Sequence, residues 1–295
     1  MCRYRRLALW ERLLAAIIVA RGHSHKLEWF WSSYHLLTRH AANEVSKMCD
    51  LFVLSAGQDY SAPKSLPLFA KQASKNLDGW GIGYFKKYTS FVEKSAEGAY
   101  VAGRIHDSFQ RLARVVNSRI ILCHVRLQTS GPVDECHAHP FSLEFAGHSW
   151  LFAHNGRAPA VEKYQTSGSP IEGAQSDSAR TFEYLRDRIS SHLPSQPRAL
   201  PTLFEVIHQS TSQLIAEYPG DYNYLLTNGW VLFAFTNHRQ FLMLRRSRKL
   251  EGGLMLTTLS QGLSDENWLR LAKSTNRQGL LLMISGTDII IRQAL

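Results

Sequence analysis

The sequence predicts an α+β fold rich in strands, organised as a single domain over residues 2–295. Three observations predict it. Short apolar runs bounded by turn residues recur, most clearly at 119–126 and in the pair 222–226 and 231–235. Segments with helical spacing of apolar residues lie between such runs, as at 105–117, 177–185 and 201–216. No internal repeat and no clear boundary divides the 295 residues, and one domain of that length can bury a sizeable core.

The elements follow in order. Residues 7–20 crowd leucines and isoleucines onto a wide face, which predicts a helix. Residues 27–48 are rich in aromatics and read as a helix, or a long loop and helix. Residues 59–67 are a turn-rich connector. A strand starts at 81–85, and a helix over 105–117 ends near Asn117. The run 119–126 is a strongly apolar, buried strand. Residues 150–154 form a strand stopped by Asn155-Gly156. A helix starts near Asp177 and runs through Leu185, and 191–200 is a surface loop. A further helix spans 201–216. Thr227-Asn228-Gly229 joins strands 222–226 and 231–235 as a hairpin. Strands continue at 241–245 and 254–259, a helix is expected over 264–273, and 279–284 returns to strand.

Composition narrows the class. Apolar residues are 44% and charged residues 20%, the balance of a soluble globular protein. Seven Trp and fourteen Phe argue against disorder. The net charge of +10 is spread out. Its densest patches are Arg3-Tyr4-Arg5-Arg6 and Arg245-Arg246-Ser247-Arg248-Lys249, so an ordinary basic surface or attraction of an anionic substrate is favoured over nucleic acid. The four cysteines, Cys2, Cys49, Cys123 and Cys136, form no Cys-x-x-Cys pair, against a zinc ribbon or a thioredoxin-like site. Scattered thiols suit a reducing, cytoplasmic compartment. Three arginines ahead of the apolar run 13–20 faintly resemble a secretion signal, but Glu11 and Arg12 interrupt the stretch. Eight apolar residues are too few to span a bilayer, and no other segment reads as a membrane span.

Candidate chemistry begins at Cys2. Removal of Met1 would leave it with a thiol and a free α-amine, a nucleophile beside its own base. Four further blocks sit where strands end. In Asp78-Gly79-Trp80-Gly81-Ile82-Gly83 the glycines permit close backbone approach, or a tight turn, and their spacing does not match a dinucleotide fingerprint. In His124-Val125-Arg126-Leu127-Gln128-Thr129 an arginine leaves an apolar strand, suited to a substrate carboxylate or to a structural salt bridge. Asn155 and Gly156 could aim two donors at one point, as in an oxyanion hole, or simply form a turn. Ser176 or Asp177 would cap a helix, and Asp177 could pair with a substrate ammonium. The thirteen histidines contain no His-Glu-x-x-His, and His137-Ala138-His139 would need distant partners to close a metal site. A Gly-x-Ser-x-Gly elbow is absent.

Taken in order, these blocks resemble the class II glutamine amidotransferase family of N-terminal-nucleophile hydrolases, in its small stand-alone branch. By motif the match covers roughly 1–178, and it continues more weakly through Asn223-Tyr224-Leu225-Leu226-Thr227-Asn228-Gly229 and Leu259-Ser260-Gln261-Gly262-Leu263 with Trp268. The resemblance implies a four-layer αββα sandwich, with two antiparallel sheets between helices. It implies Cys2 as nucleophile, Asn155 and Gly156 as oxyanion hole, and Arg126, Thr129 and Asp177 as holders of the substrate. Asp78, Gly79, Trp80, Gly81 and His124 become structural neighbours of the site. No cofactor and no metal are implied. The expected activity is cleavage of the γ-amide of glutamine or a γ-glutamyl compound through a thioester, releasing glutamate and ammonia or an amine. The alternatives are a glutaminase subunit feeding a separate synthase, and a non-catalytic member that binds a γ-glutamyl ligand. Partners are then a small γ-glutamyl molecule and a synthase or second copy, with no nucleic acid and no membrane. Some positions depart from the family pattern. Tyr4-Arg5-Arg6-Leu7 stands where the family carries an apolar strand after its cysteine, Ala179 replaces an acidic residue, and Asn228 replaces an aspartate.

Overall fold

Apolar side chains fill both faces of strand β1 (Asp50–Tyr60) from Leu51 to Leu54, and this sets the architecture. Phe52 and Leu54 face one core while Leu51 and Val53 face another, so β1 is covered on both sides. The computed structural model describes residues 48–129, 131–193, 199–247, 251–271 and 279–295. The chain divides into two units, 1–47 and 48–295, and the second is described here. The expected helix over 7–20, nearly all of the segment 27–48, and Cys2 lie outside the described residues.

After β1 come helix α1 (Ser65–Gln72), strands β2 (Trp80–Lys86) and β3 (Thr89–Ser95), and the short pair β4 (Tyr100–Val101) and β5 (Arg104–Ile105). Helix α2 (Asp107–Val115) leads into β6 (Ser118–Val125), β7 (Phe141–Phe145) and β8 (His148–Arg157). Helices α3 (Asp177–His192) and α4 (Leu200–Glu217) precede the hairpin of β9 (Asp221–Thr227) and β10 (Val231–Thr236). The chain closes with β11 (Leu242–Arg246), β12 (Gly253–Thr257), β13 (Leu269–Arg270), β14 (Leu280–Ser285) and β15 (Asp288–Ala294).

Two antiparallel sheets result, in the orders β13-β11-β12-β1-β6-β2-β3 and β15-β14-β10-β9-β8-β7. Three cores separate four layers. Leu51, Val53, Leu122, Leu151, Leu225 and Leu232 fill the space between the sheets. Phe52, Phe69, Trp80 and Phe109 join α1 and α2 to the first sheet. Phe152, Phe182, Tyr224 and Phe204 join α3 and α4 to the second, with the Phe152 and Phe182 rings stacked at 4.9 Å. This is the αββα sandwich. Burying each such large side chain contributes about 1.5–3 kcal/mol.

Several boundaries differ from expectation, each for a local reason. The connector expected over 59–67 shrinks, because Asp59 and Tyr60 end β1 and Ser65 to Pro67 open α1. Glu251 makes that helix start feasible. Its carboxylate accepts from the Ser65 amide at 3.3 Å and from the Lys64 amide, and so replaces a side-chain cap that Lys64 cannot supply. Asn155-Gly156 does not stop β8. The ladder continues through Asn155↔Asn223, Gly156↔Tyr222 and Arg157↔Asp221. The expected helix over 264–273 does not form in 264–271. There Ser264 donates to the Glu266 carboxylate at 2.6 Å, that carboxylate binds Arg246, and Leu269–Arg270 pair with β11. The loop expected over 191–200 is shorter, since α3 runs through His192 and α4 opens at Leu200. Among the described residues no helix is long and apolar enough to cross a membrane.

Candidate active site

Sheet register brings the candidate residues to one end of the sandwich. Val125 at the end of β6 faces both Asp50 at the start of β1 and Trp80 at the start of β2. The residues just beyond these partners, Cys49, Arg126 and Gly79, therefore emerge side by side. Arg126 donates its backbone N–H to the Gly79 carbonyl at 2.8 Å, and the Asp78 N–H donates to the Arg126 carbonyl at 3.1 Å. The Asp78 carboxylate takes the Gln128 N–H at 2.7 Å. Gly79 adopts φ +122°, open chiefly to glycine, and a Cβ there would stand 2.8 Å from the Ser95 carbonyl oxygen. A Cβ on Gly81 would overlap the His139 carbonyl. Trp80 is fully buried edge-on to Phe109. The Asp-Gly-Trp-Gly block thus braces the segment 126–128.

The residue that this segment covers is Cys49, which the sequence reading did not single out. Its thiol donates to the Leu127 carbonyl at 3.1 Å and accepts the Leu127 N–H at 3.3 Å. Its carbonyl accepts from the Asn155 side-chain amide and from Arg239 Nη1 at 3.0 Å. Burial pushes the thiol pKa up to about 11, with the Asp50 carboxylate adding to the rise. The Leu127 backbone and the Arg126 guanidinium pull the other way.

Asn155 is buried near the end of β8, and its Oδ1 has no partner among the described residues. Gly156 must be glycine, because a Cβ would overlap the Asp221 carbonyl and lie 2.7 Å from His154 Nε2. Arg126 is 4% exposed. Burial lowers its pKa, opposed by Cys49, Asp134 and Asp78. Asp177 ties the start of helix α3 to the segment that follows β8. Its carboxylate accepts the Ala158 and Ser178 N–H groups at 2.8 Å each, and Ser178 Oγ reaches His154 Nδ1 at 2.9 Å. Helix α3 is capped by Ser176, whose Oγ accepts from the Ala179 N–H at 3.2 Å. Thr129 is exposed on the loop after β6.

His124 sits wholly buried against His139, ring centroids 4.3 Å apart, and its two ring nitrogens have no partner among the described residues. Burial drives its pKa down to about 3, and neighbouring cationic groups add to the fall. His137 and His139 do not act as a chelating pair. His137 bonds Asp134 at 2.7 Å and accepts the Gln175 N–H at 3.2 Å, while His139 stays with His124. The structure therefore brings Arg126, Asn155, Gly156, Asp78 and Gly79 to the end of the sandwich that carries Cys49, while Asp177 bonds the backbone of Ala158, just past that end of β8.

Sequence reasoning also missed the polar shell behind Cys49. Arg239 extends from the β10–β11 loop, which Asn223 fixes by accepting the Arg239 N–H at 3.0 Å and donating to its carbonyl at 2.6 Å. Asp50, Asn76 and Thr258 complete the shell. The available signal was Met48-Cys49 followed at once by Asp50-Leu51-Phe52-Val53-Leu54, a cysteine opening an apolar strand.

Comparison with known proteins bears on the fold and the family. Among curated proteins, the candidate glutamine amidotransferase YafJ of Escherichia coli (strain K12) is 24% identical over 206 residues, covering 68% of this chain and 77% of its own. A gamma-glutamyl-hercynylcysteine sulfoxide hydrolase of Mycobacterium tuberculosis (strain CDC 1551 / Oshkosh) is 29% identical over 175 residues, covering 57% and 70%. Among solved structures, a predicted glutamine amidotransferase from Pseudomonas aeruginosa PA01 superposes with a TM-score of 0.54 at 18% identity, covering 83% of this chain and 96% of that one. The glutamine phosphoribosylpyrophosphate amidotransferase of B. subtilis gives 0.54 at 15% identity, and this chain spans 49% of it. The family profile of class II glutamine amidotransferases matches residues 48–252, so the match starts at Met48 and not at Met1. The chain belongs to the class II glutamine amidotransferases.

Proposed function

We propose that this protein hydrolyses the γ-amide of a γ-glutamyl compound with Cys49 as its nucleophile. One observation carries the reading: the Cys49 thiol rests on the Leu127 backbone while the carbonyl of the same residue takes the Asn155 amide. A thiol and an amide donor thus share one strand end, in a buried setting where oriented donors act strongly. Cys2 lies outside the described residues. What favours Cys49 over it is the apolar strand that follows directly and a family match that begins one residue earlier.

In this reading the Met48–Cys49 bond is absent from the working enzyme, through initiation at Met48 and its removal, or through cleavage. Cys49 then carries a free α-amine. The thiol, held near pKa 11, needs that base. Sulfur attacks the γ-carbonyl carbon as its proton passes to the α-amine. Asn155 exchanges its bond to the Cys49 carbonyl for one to the tetrahedral oxygen, joined by the Gly156 N–H. The C–N bond breaks, the amine leaves with the relayed proton, and a γ-glutamyl thioester remains. Water adds, the C–S bond breaks, and glutamate departs with the thiol restored. Arg126 takes the substrate α-carboxylate and Asp177 its α-ammonium, which aligns the carbonyl. The Mycobacterium relative, named for hydrolysis of a γ-glutamyl compound, supports a substituted amide as substrate.

The test compares the 295-residue chain with one initiated at Met48. Each is treated with a diazoketone analogue of glutamine, and its N-terminal peptides are weighed. One adduct on a Cys49 that bears a free α-amine, with γ-glutamyl amide hydrolysis abolished by Cys49→Ala, is expected. An adduct on Cys2, or hydrolysis that survives Cys49→Ala, would sink the assignment.

A further inference from the structure

The backbone of Cys49 is held by a charged pair to which the proposed chemistry assigns no part. Arg239 spreads its guanidinium over three acceptors: the Cys49 carbonyl at 3.0 Å, Asp50 Oδ1 at 3.1 Å and the Thr258 carbonyl at 2.7 Å. Asp50 also accepts from Thr258 Oγ1 at 3.1 Å and from Asn76 Nδ2 at 3.0 Å. The same Asn76 amide reaches the Met48 carbonyl at 3.1 Å. Asn76, Asp50 and Thr258 are buried, and both side chains of the ion pair are largely covered. Asn76, Arg239 and Thr258 thus grip Met48, Cys49 and Asp50 from three separate parts of the chain.

A buried carboxylate next to a nucleophilic cysteine is a liability. Its negative charge opposes formation of a thiolate and would stabilise a cationic amine on the same residue. Asp50 is among the causes that raise the Cys49 thiol. Arg239 stands directly on that carboxylate and on the Cys49 carbonyl at once. The charged groups facing Cys49 are Asp50 from β1, Arg126 beyond β6, and Arg239 from the β10–β11 loop.

We propose that Asp50 and Arg239 are positioning residues that act as one unit. Arg239 fixes the Cys49 carbonyl and cancels the field of Asp50, while Asp50 keeps Arg239 in place over the cysteine. The role in turnover rests on Cys49 being the nucleophile. The electrostatic claim is readable without turnover.

The experiment uses the full 295-residue chain and follows iodoacetamide alkylation of Cys49 by peptide mass across pH. Exposed Cys136 in the same sample serves as the reference. Asp50→Asn removes the negative charge with little change of shape, and Cys49 should react on the order of tenfold faster at pH 8, its profile moving to lower pH by about one unit. Arg239→Gln should slow Cys49 by a similar factor and move the profile upward. Arg239→Lys should keep the profile near its original position, because the charge remains. The Asp50→Asn/Arg239→Gln pair should return the rate to within roughly threefold of the parent. Shifts of the same sign in the two single variants, or an unmoved profile in Asp50→Asn, overturn the proposal. If Arg239→Gln does not fold, Asp50→Asn and Arg239→Lys decide alone. A null result here leaves the labelling of Cys49 by the glutamine analogue untouched, so the two claims fail separately.

Discussion

Replacing Gly156 by alanine tests whether the end of β8 at the candidate active site is as tightly specified as its geometry implies. The new Cβ would overlap the Asp221 backbone carbonyl and sit 2.7 Å from His154 Nε2. Neither neighbour is a flexible chain end. Asp221 belongs to the β8–β9 ladder, and His154 is pinned by Ser178 at 2.9 Å and by the Asp221 carbonyl at 3.2 Å. Relief requires β8 and β9 to part at Gly156↔Tyr222 and Arg157↔Asp221. Overpacking of this kind costs about 1–3 kcal/mol, and each ladder or side-chain hydrogen bond lost adds about 1 kcal/mol. A total of about 2–4 kcal/mol corresponds to a fall in midpoint of roughly 4–8 °C for a unit of this size. Asn155 moves with its neighbour, so γ-glutamyl hydrolysis should fall at least tenfold. Thermal unfolding by circular dichroism and a turnover assay on the same sample read both effects. A variant that melts within about 2 °C of the parent and keeps its turnover would refute the steric argument.

Three further outcomes are expected. Asn155→Ala should lower kcat by about 10²–10³ with little change in KM if the proposed mechanism holds, in which its amide serves the tetrahedral oxygen, and equal losses in binding would point to a structural role instead. Arg246→Ala should destabilise by about 3 kcal/mol, because Arg246 bonds Glu251 at 2.8 Å, Glu266 at 2.8 Å and Ser65 at 2.7 Å, and Glu251 is nearly buried; denaturant titration measures it, and Arg246→Met with Glu251→Gln should recover part of the loss. Acid should destabilise the fold early, because burial depresses the pKa of His124 and of His139. Both are neutral when folded and take up protons when unfolded, so their stabilising contribution is complete above the ordinary histidine value and declines below about pH 6.5, at up to about 2.7 kcal/mol per pH unit until the folded values are reached. A stability curve flat between pH 6.5 and about 4.5 would contradict this burial.

Much of the architecture was legible because its strands are covered on both faces. The runs 119–126, 222–226 and 231–235 are continuous and apolar, and all three became strands. Strands β3 and β15 were not read because one face of each is solvated. Strand β7 was not read either, and β1 was missed although both its faces are covered, since it fell between an expected helix ending at 48 and a connector opening at 59. The helix expected over 264–273 failed because a sequence pattern does not show Arg246 drawing Glu266 into an extended segment. Asn155-Gly156 reads as a turn by local preference, yet the ladder to β9 overrides it. At the site, the blocks around Asp78, Arg126 and Asn155 were readable by residue type. Arg239 was not, since nothing in its neighbourhood of the chain reveals that it meets a cysteine 190 positions earlier. Cys49 was overlooked for want of one check, whether an apolar strand follows the cysteine. Tyr4-Arg5-Arg6 departs from that pattern and Leu51-Phe52-Val53 meets it.

Strand β1 lies between β6 and β12, and the Leu51 N–H reaches Thr258 Oγ1 across 207 positions of sequence. During synthesis this seam is the last part of the first sheet's centre to close. Until Thr258 has left the ribosome, β1 is paired on one side only, and the shell behind Cys49 lacks Thr258, one of the acceptors that hold Arg239. Contacts this distant in sequence slow folding and prolong the life of a strand edge on which other chains can pair. A nascent chain stalled before β12 therefore presents an apolar strand, opened by a cysteine, that is paired with β6 and bare on its other edge.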